Sequence, residues 1–225
     1  MTNYKVVYVF TFGWSPELVI RPLVEEGVTK DVAIVLLASK PELDHVTKKV
    51  KEALDNLRKF FEMAGIVEHY YVEIDGNRDL VEICRNIIRV LKTFAEAEQL
   101  KFFLTGGMRV LVVAALIAAK LIGSVRRNVE VKLSREDAPV LYSLPLAMLE
   151  VSPKSLTESQ KEVLRQLKVI GEARFEDLAL GRSSVTVRKH LTKLREMGLV
   201  AYSVKGRKQH YKLTPLGELL LEVLG

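Results

Sequence analysis

Over residues 1–150, short β-branched and aromatic runs alternate with longer stretches of helical period, and this alternation restricts the chain more than any other feature. The runs are KVVYVF (5–10), VAIVLL (32–37), HYYVEI (69–74), KFFL (101–104) and VEVKL (129–133), with a shorter candidate at 140–144. Nearly continuous apolar runs of this length suit strands buried on both faces of a parallel sheet. Between them, 41–64 opens with Pro41 at the first helical position and repeats Leu43, Val46, Val50, Leu54, Leu57 and Phe61 at spacings of three and four before Gly65. Residues 80–97 do the same with Val81, Cys84, Ile87, Ile88 and Leu91. Regular alternation of this kind gives right-handed βαβ units, hence an α/β fold: a Rossmann-like, doubly wound, mainly parallel sheet. Ligands bind such sheets in the crevice outside the carboxyl ends of the strands.

Composition narrows the possibilities. Of 225 residues, 48% are hydrophobic and 28% charged, which is ample for a buried core and unlike a disordered chain. One cysteine, Cys84, excludes a disulfide framework and a multi-cysteine zinc site; at a helical core position it reads as packing, not as a nucleophile. The start, MTNYKVVYVF, has no basic leader region, and the most apolar stretch, 108–122, contains Arg109 and Lys120 and is shorter than a membrane span. A protein of the cytoplasm, with no membrane partner, no metal and no cofactor, is expected.

Charge divides the chain. Residues 1–150 carry 20 basic and 20 acidic side chains, whereas 151–225 carry 14 and 8, so the net charge of +6 sits entirely in the last third. Such asymmetry fits a neutral module joined to one that meets a polyanion; a basic surface kept for solubility is the alternative. The proline-bearing stretch 145–155 reads as a linker between domains at 1–144 and 156–225. After it, Thr157 and Gln160 form a capping-box start for a helix at 158–169, and 176–180 gives a second short helix. Gly181, Arg182 and Ser183 form a turn, Ser184 can cap, and a third helix runs over 185–197 to Gly198. Strands at 200–204 and 209–213 flank the basic tip Lys205-Gly206-Arg207-Lys208, and Pro215 opens a last helix.

These are the parts of a helix-turn-helix with a hairpin wing. Val187, Leu191 and Leu194 pack inward, leaving Thr186, Arg188, Lys189, Thr192 and Lys193 outward; Ser183, Ser184 and Thr186 present hydroxyls at the helix start. Lys205, Arg207 and Lys208 place three charges at the wing. All ten are candidate contacts to double-stranded DNA. The run from Ser183 to Leu191, with Lys193-Leu194, Gly198-Leu199-Val200, Gly206 and Tyr211 to Thr214, resembles winged-helix transcriptional regulators of the MarR and ArsR type. That resemblance implies a homodimer on a pseudo-palindromic operator. ArsR-type metal sites use cysteines that this region lacks, so His190 reads as a groove-edge or packing residue.

Two glycine loops mark the first module. Thr105-Gly106-Gly107-Met108-Arg109 follows KFFL and opens the apolar helix, where paired glycines allow close approach and the helix N-terminus favours an anion. Close helix–strand packing is the plainer use of such glycines. The spacing matches neither dinucleotide nor P-loop fingerprints. Thr11-Phe12-Gly13-Trp14-Ser15-Pro16 closes the first strand, with Ser15 as the expected cap of the first helix. In the usual strand order both loops face one crevice, with Ser39 near it. Trp14 is placed to stack on a base or to anchor packing.

A polar end to strand one and a Gly-Gly-apolar-basic motif after strand four are similar to the CARF domains of CRISPR-associated proteins. With the C-terminal winged helix, the chain resembles the CARF–winged-helix regulators of archaea. The resemblance implies a dimer whose CARF halves form one pocket for a cyclic oligoadenylate, most often cyclic tetra-adenylate. It implies ligand contacts from Thr11, Phe12, Gly13 and Ser15, from Thr105, Gly106, Gly107, Met108 and Arg109, and from Ser39. Some CARF domains cleave their ligand with hydroxyl or lysine side chains; neither glycine motif here holds a lysine, so a binding protein and not an enzyme is expected. A ring nuclease and a MarR-like sensor of another metabolite are the competing readings. The helix 108–122 is apolar nearly all round, which suits either a two-fold dimer interface beside the pocket or burial within one subunit.

Overall fold

Strand β1 (Val6–Phe12) can be central because all but one of its side chains are apolar and either face can be covered. In the computed structural model, which describes residues 4–27, 31–40, 43–126, 128–134, 140–150, 152–178, 183–206 and 208–224, β1 pairs in parallel with β2 (Val32–Ser39) and with β4 (Gln99–Leu104). Outside these lie β3 (His69–Ile74) on β2 and β5 (Val129–Ser134) on β4, both parallel. The short β6 (Leu141–Ser143) runs antiparallel to β5 at the edge. The order β3-β2-β1-β4-β5-β6 is Rossmann-like, with the direction of winding reversing between β1 and β4.

Period-two alternation assigns the faces. Val7 and Val9, with Val35 and Phe102, meet α3 (Leu80–Lys92) and α4 (Arg109–Gly123). Tyr8, Phe10 and Phe12, with Ile34, Leu36 and Phe103, meet α1 (Glu17–Glu26) and α2 (Asp44–Ala64). Phe10 and Phe103 stack at 4.7 Å between centroids, an aromatic pair worth about 1 kcal/mol beyond its buried area. On α4, Ala114, Ala115, Ala118 and Ala119 are fully buried, and their small side chains bring that helix close to the sheet and to α3. Cys84 of α3 donates to the Ala114 carbonyl at 3.5 Å, and burial pushes its thiol up, away from the reactive thiolate.

The boundaries differ from the sequence reading in instructive ways. Strand β1 extends through Thr11 and Phe12, because both pair with β2. Helix α3 stops at Lys92, not 97: the amides of Thr93, Phe94 and Ala95 turn back to carbonyls three residues earlier, and Thr93 Oγ1 donates to the Val90 carbonyl at 2.7 Å. Phe94 and Ala97 are buried all the same, which is why the apolar period continued past the helix end.

Contacts divide the chain into Met1–Leu146 and Ala147–Gly225. The second unit holds α5 (Glu158–Ile170), β7 (Glu172–Arg174), α6 (Ser184–Glu196), β8 (Val200–Lys205), β9 (Lys208–Leu213) and α7 (Pro215–Leu224). Its antiparallel sheet has the order β7-β9-β8, and Val163, Leu164, Leu167, Val187, Leu191, Leu194 and Leu199 fill its core. The Thr157–Gln160 capping box is formed on α5. Ser183, not Ser184, caps α6: its Oγ accepts from the Thr186 amide at 3.3 Å, so the helix starts one residue earlier than expected. In place of a helix at 176–180 there is a 3₁₀ turn at Phe175–Leu178, residues 179–182 lying outside the described residues. Strand β7 was not anticipated, and the expected linker contains 3₁₀ turns at Leu146–Leu149 and Pro153–Ser155. Among the described residues no helix is long and apolar enough to cross a membrane.

Candidate functional site

The two glycine loops are joined where β1 and β4 end. Backbone pairing between these strands stops at Phe10 and Phe103, and side chains take over. The Thr105 amide donates to Thr11 Oγ1 at 3.1 Å, Thr105 Oγ1 donates to the Thr11 carbonyl at 3.1 Å, and the Gly106 amide reaches Thr11 Oγ1 at 3.4 Å. Both threonines are buried, so leaving either group unpaired would cost about 1–3 kcal/mol. Just beyond this clasp the backbones touch. A Cβ on Gly13 would lie 3.1 Å from the Gly107 nitrogen, and one on Gly107 would lie 2.8 Å from the Phe12 carbonyl oxygen. Gly107 also has φ +89°, a conformation that side chains resist.

This junction floors a cavity of about 760 Å³ across the carboxyl ends of β3, β2, β1 and β4, within the size range of small-molecule sites. One side is polar: Gly13, Ser15, Gly106, Gly107 and Arg109, with Arg21 from α1. The other is largely apolar: Ala38, Leu43, Val46 and Val50, closed by Met108. Three cations, Arg21, Lys40 and Arg109, face one anion, Glu17, and among the described residues no ion pair engages Arg21 or Arg109. Trp14 stands at the rim, half exposed, with the Lys49 ammonium 5.8 Å from its ring centre.

Helix ends sharpen the electrostatics. α1, α2 and α4 all begin at the cavity, with Pro16, Leu43 and Met108 at their N-caps and no side chain bonded to the first-turn amides. By contrast α3, α5 and α6 are capped by Asp79, Thr157 and Ser183. Three helix starts without a side-chain cap, each the positive end of a helix dipole, therefore border one cavity that also holds an excess of cations. The arrangement suits an anion with an attached apolar or aromatic part.

Among the residues expected from sequence, Phe12, Gly13, Ser15, Ser39, Gly106, Gly107, Met108 and Arg109 line this cavity. Thr11 and Thr105 lie beneath it as the clasp. Ser15 is not the cap of α1; Pro16 holds that position, and the Ser15 carbonyl accepts from the Leu18 amide at 3.3 Å. Sequence reasoning missed Arg21, Lys40, Gly76 and Asn77. Arg21 was findable, being one helical turn after Glu17, and Asp75-Gly76-Asn77 is a turn signal directly after β3.

In the second unit α6 presents Thr186, Arg188, Lys189, Thr192 and Lys193 to solvent while Val187, Leu191 and Leu194 are buried. Ser183 is exposed, its hydroxyl 3.1 Å from that of Thr186. Two arginines are pre-positioned by stacking, Arg188 over Phe175 at 4.9 Å and Arg195 over Tyr202 at 5.0 Å. At the hairpin, Lys205 pairs with Glu172 of β7 at 2.5 Å, and this hydrogen bond holds the Glu172 carboxyl below its usual range. Lys208 is exposed and lies across the ladder from Lys205. Arg207 and the Ser184 side chain lie outside the described residues. No group of three or more His, Cys, Asp or Glu side chains among the described residues is placed to hold a metal.

A family model described as the Csa3 CRISPR-associated Rossmann-like domain matches residues 6–145. Among solved structures, one describing the mechanism for regulation of DNA binding of Bordetella bronchiseptica BpsR by 6-hydroxynicotinic acid aligns with 35% of this chain and 64% of its own, at 28% identity and TM-score 0.31. Protein VC1899 from Vibrio cholerae aligns with 96% of this chain at 13% identity and TM-score 0.48. The chain spans 64% of the length of each of these two structures. No curated protein matches it.

Proposed function

We propose, from the fact that this chain belongs to the Csa3 CRISPR-associated Rossmann-like domain family, that it is a dimeric transcriptional regulator under the control of a cyclic oligoadenylate. Cyclic tetra-adenylate is the first ligand to test. The observation that carries this reading is the single cavity in which two touching glycine loops, three cations and three uncapped helix starts converge. Phosphodiesters would lie against Arg109, Arg21 and the positive ends of the three helices, and adenines against the apolar side and Trp14.

Helix α4 begins at this cavity and exposes Val113 and Leu121, with Ile117 partly exposed between them at helical spacing. A second copy related by a two-fold axis would cover this stripe and bring two cavities together into one symmetric site. The second unit would then act as a winged helix, with α6 in the major groove and the β8–β9 hairpin on the backbone. Two recognition helices must meet half-sites about 34 Å apart, so a small rotation between protomers changes operator affinity. Ligand binding would shift that affinity by a coupling energy of about 1–3 kcal/mol, or roughly 5–150-fold.

Fluorescence anisotropy on labelled DNA from upstream of the protein's own gene tests this, with and without saturating cyclic tetra-adenylate. A change of fivefold or more supports ligand control; an unchanged affinity removes it. Lys40 lines the cavity from the end of β2, so the ligand recovered from the same incubation is checked by chromatography. Linear product would reassign the protein as a ring nuclease, whereas DNA binding without any affinity for cyclic oligoadenylates would leave a regulator sensing another metabolite.

A further inference from the structure

One polar atom of the cavity has no work to do within the protein. Ser39, the last residue of β2, has its Oγ shielded from solvent and without a hydrogen-bond partner among the described residues. Buried hydroxyls are almost always bonded, so an orphan lining a ligand-sized cavity calls for a partner from outside. What covers it can move. A Cβ on Gly76 would sit 3.3 Å from Ser39 Oγ and 3.3 Å from both Sδ and Cε of Met108, so the hydroxyl is packed closely between the bare Gly76 backbone and the end of a flexible thioether side chain. Methionine sulfur is only a weak acceptor and an adaptable filler, able to yield the space.

The position of this hydroxyl in the topology says what the partner is. In a doubly wound sheet an anion sits on the helix start after β1, and the attached sugar extends toward the carboxyl end of β2, where a side chain bonds its hydroxyls. Here Phe12 is in register with Ala38, which sets Ser39 level with Gly13 at the mouth of the first glycine loop. Dinucleotide sites place a carboxylate at this point; a neutral hydroxyl followed by Lys40 avoids repelling a sugar flanked by phosphodiesters.

We infer that Ser39 reads the ribose of the bound nucleotide, its Oγ pairing with the 2′-hydroxyl, which is the free sugar oxygen of a ring joined through 3′ and 5′ positions. This rests on the cavity taking a cyclic oligoadenylate, and it adds selectivity for ribonucleotide over deoxyribonucleotide rings. Trp14 is the one tryptophan of the chain and lines the cavity, so its fluorescence can follow titrations with cyclic tetra-adenylate and with its all-2′-deoxy counterpart. The full-length protein is expected to bind the ribose ring about tenfold more tightly, the worth of one such hydrogen bond. In Ser39→Ala the two rings are expected to bind within twofold of each other. Equal binding of both rings by the unaltered protein, or full discrimination retained in Ser39→Ala, overturns the ribose assignment while leaving the ligand class intact. Binding of neither ring overturns the ligand class and this assignment with it.

Discussion

Replacing Gly107 by alanine tests the junction on which the cavity is built. Two costs add at this position. Its φ of +89° is unfavourable for an L side chain by about 1–2 kcal/mol. The new Cβ would also lie 2.8 Å from the Phe12 carbonyl oxygen, a backbone atom of a residue still paired with Ala38 of β2, so backbone has to shift to relieve the contact. Overpacking of this kind costs about 1–3 kcal/mol. The sum, about 2–5 kcal/mol, corresponds to a drop of about 5–15 °C in the melting temperature of a chain this size. Gly65→Ala is the control. Gly65 has a comparable φ of +70° at the end of α2 but nothing within 4 Å of the added carbon, so only the conformational part applies, about 1–2 kcal/mol or a few degrees. Differential scanning calorimetry of both variants beside the unaltered protein separates the two contributions. Equal shifts for Gly107→Ala and Gly65→Ala would mean that the loops do not touch, and the reasoning about a shared cavity floor would fail with them.

Three further outcomes are expected. Arg109→Ala removes a cavity cation with no ion pair among the described residues, so its affinity for cyclic tetra-adenylate by Trp14 fluorescence should fall about tenfold or more, with DNA affinity in the absence of ligand unchanged; parallel loss of both would refute a role confined to the cavity. Lys189→Ala combined with Lys193→Ala removes two exposed charges of α6 and should lower the slope of log K against log salt by about two; an unchanged slope would place the groove elsewhere. The third concerns Glu26, which is nearly buried and bridges Lys101 of β4 and Lys132 of β5. Burial pushes its carboxyl up, but the hydrogen bonds and charges of the two lysines outweigh this and hold it below the ordinary 4.5. A depressed carboxylate contributes stability above its ordinary value and loses it as the pH falls through the folded one. Glu26→Gln should therefore melt about 5–10 °C lower at pH 7, for a cost of about 2–4 kcal/mol, with the gap closing as the pH drops below 4.5. A gap that persists in acid would mean that the carboxylate charge is not what holds α1 to the sheet.

Much of the fold follows from local pattern. The six strand-like runs became the six strands of the first sheet. The most continuously apolar of them, β1, β2 and β4, are buried at its centre because only a sheet covered on both sides hides them, while β3, β5 and β6 lie toward the edges and are partly exposed. Turn and cap chemistry was equally readable: the Thr157–Gln160 box and the Pro215 start of α7 depend on neighbours three or four residues away. Local pattern failed where a distant partner decided. The stretch after Lys92 kept its apolar period although the helix had ended, because Phe94 and Ala97 are buried from a turn as well as from a helix. Strand β7 is three residues long and exists because β9 pairs with it.

The same division holds at the site. Sequence alone determined that two glycine loops follow β1 and β4 and that the basic excess lies in the last third of the chain, since both are matters of residue type and order. Only tertiary structure decided that Thr11 and Thr105 are a buried clasp beneath the cavity and not part of its wall, that Gly13 and Gly107 touch, and that Arg21, Lys40 and Gly76 belong to one cavity with them. These residues are up to about a hundred positions apart, and which of them meet is set by strand order and register, which no local pattern encodes.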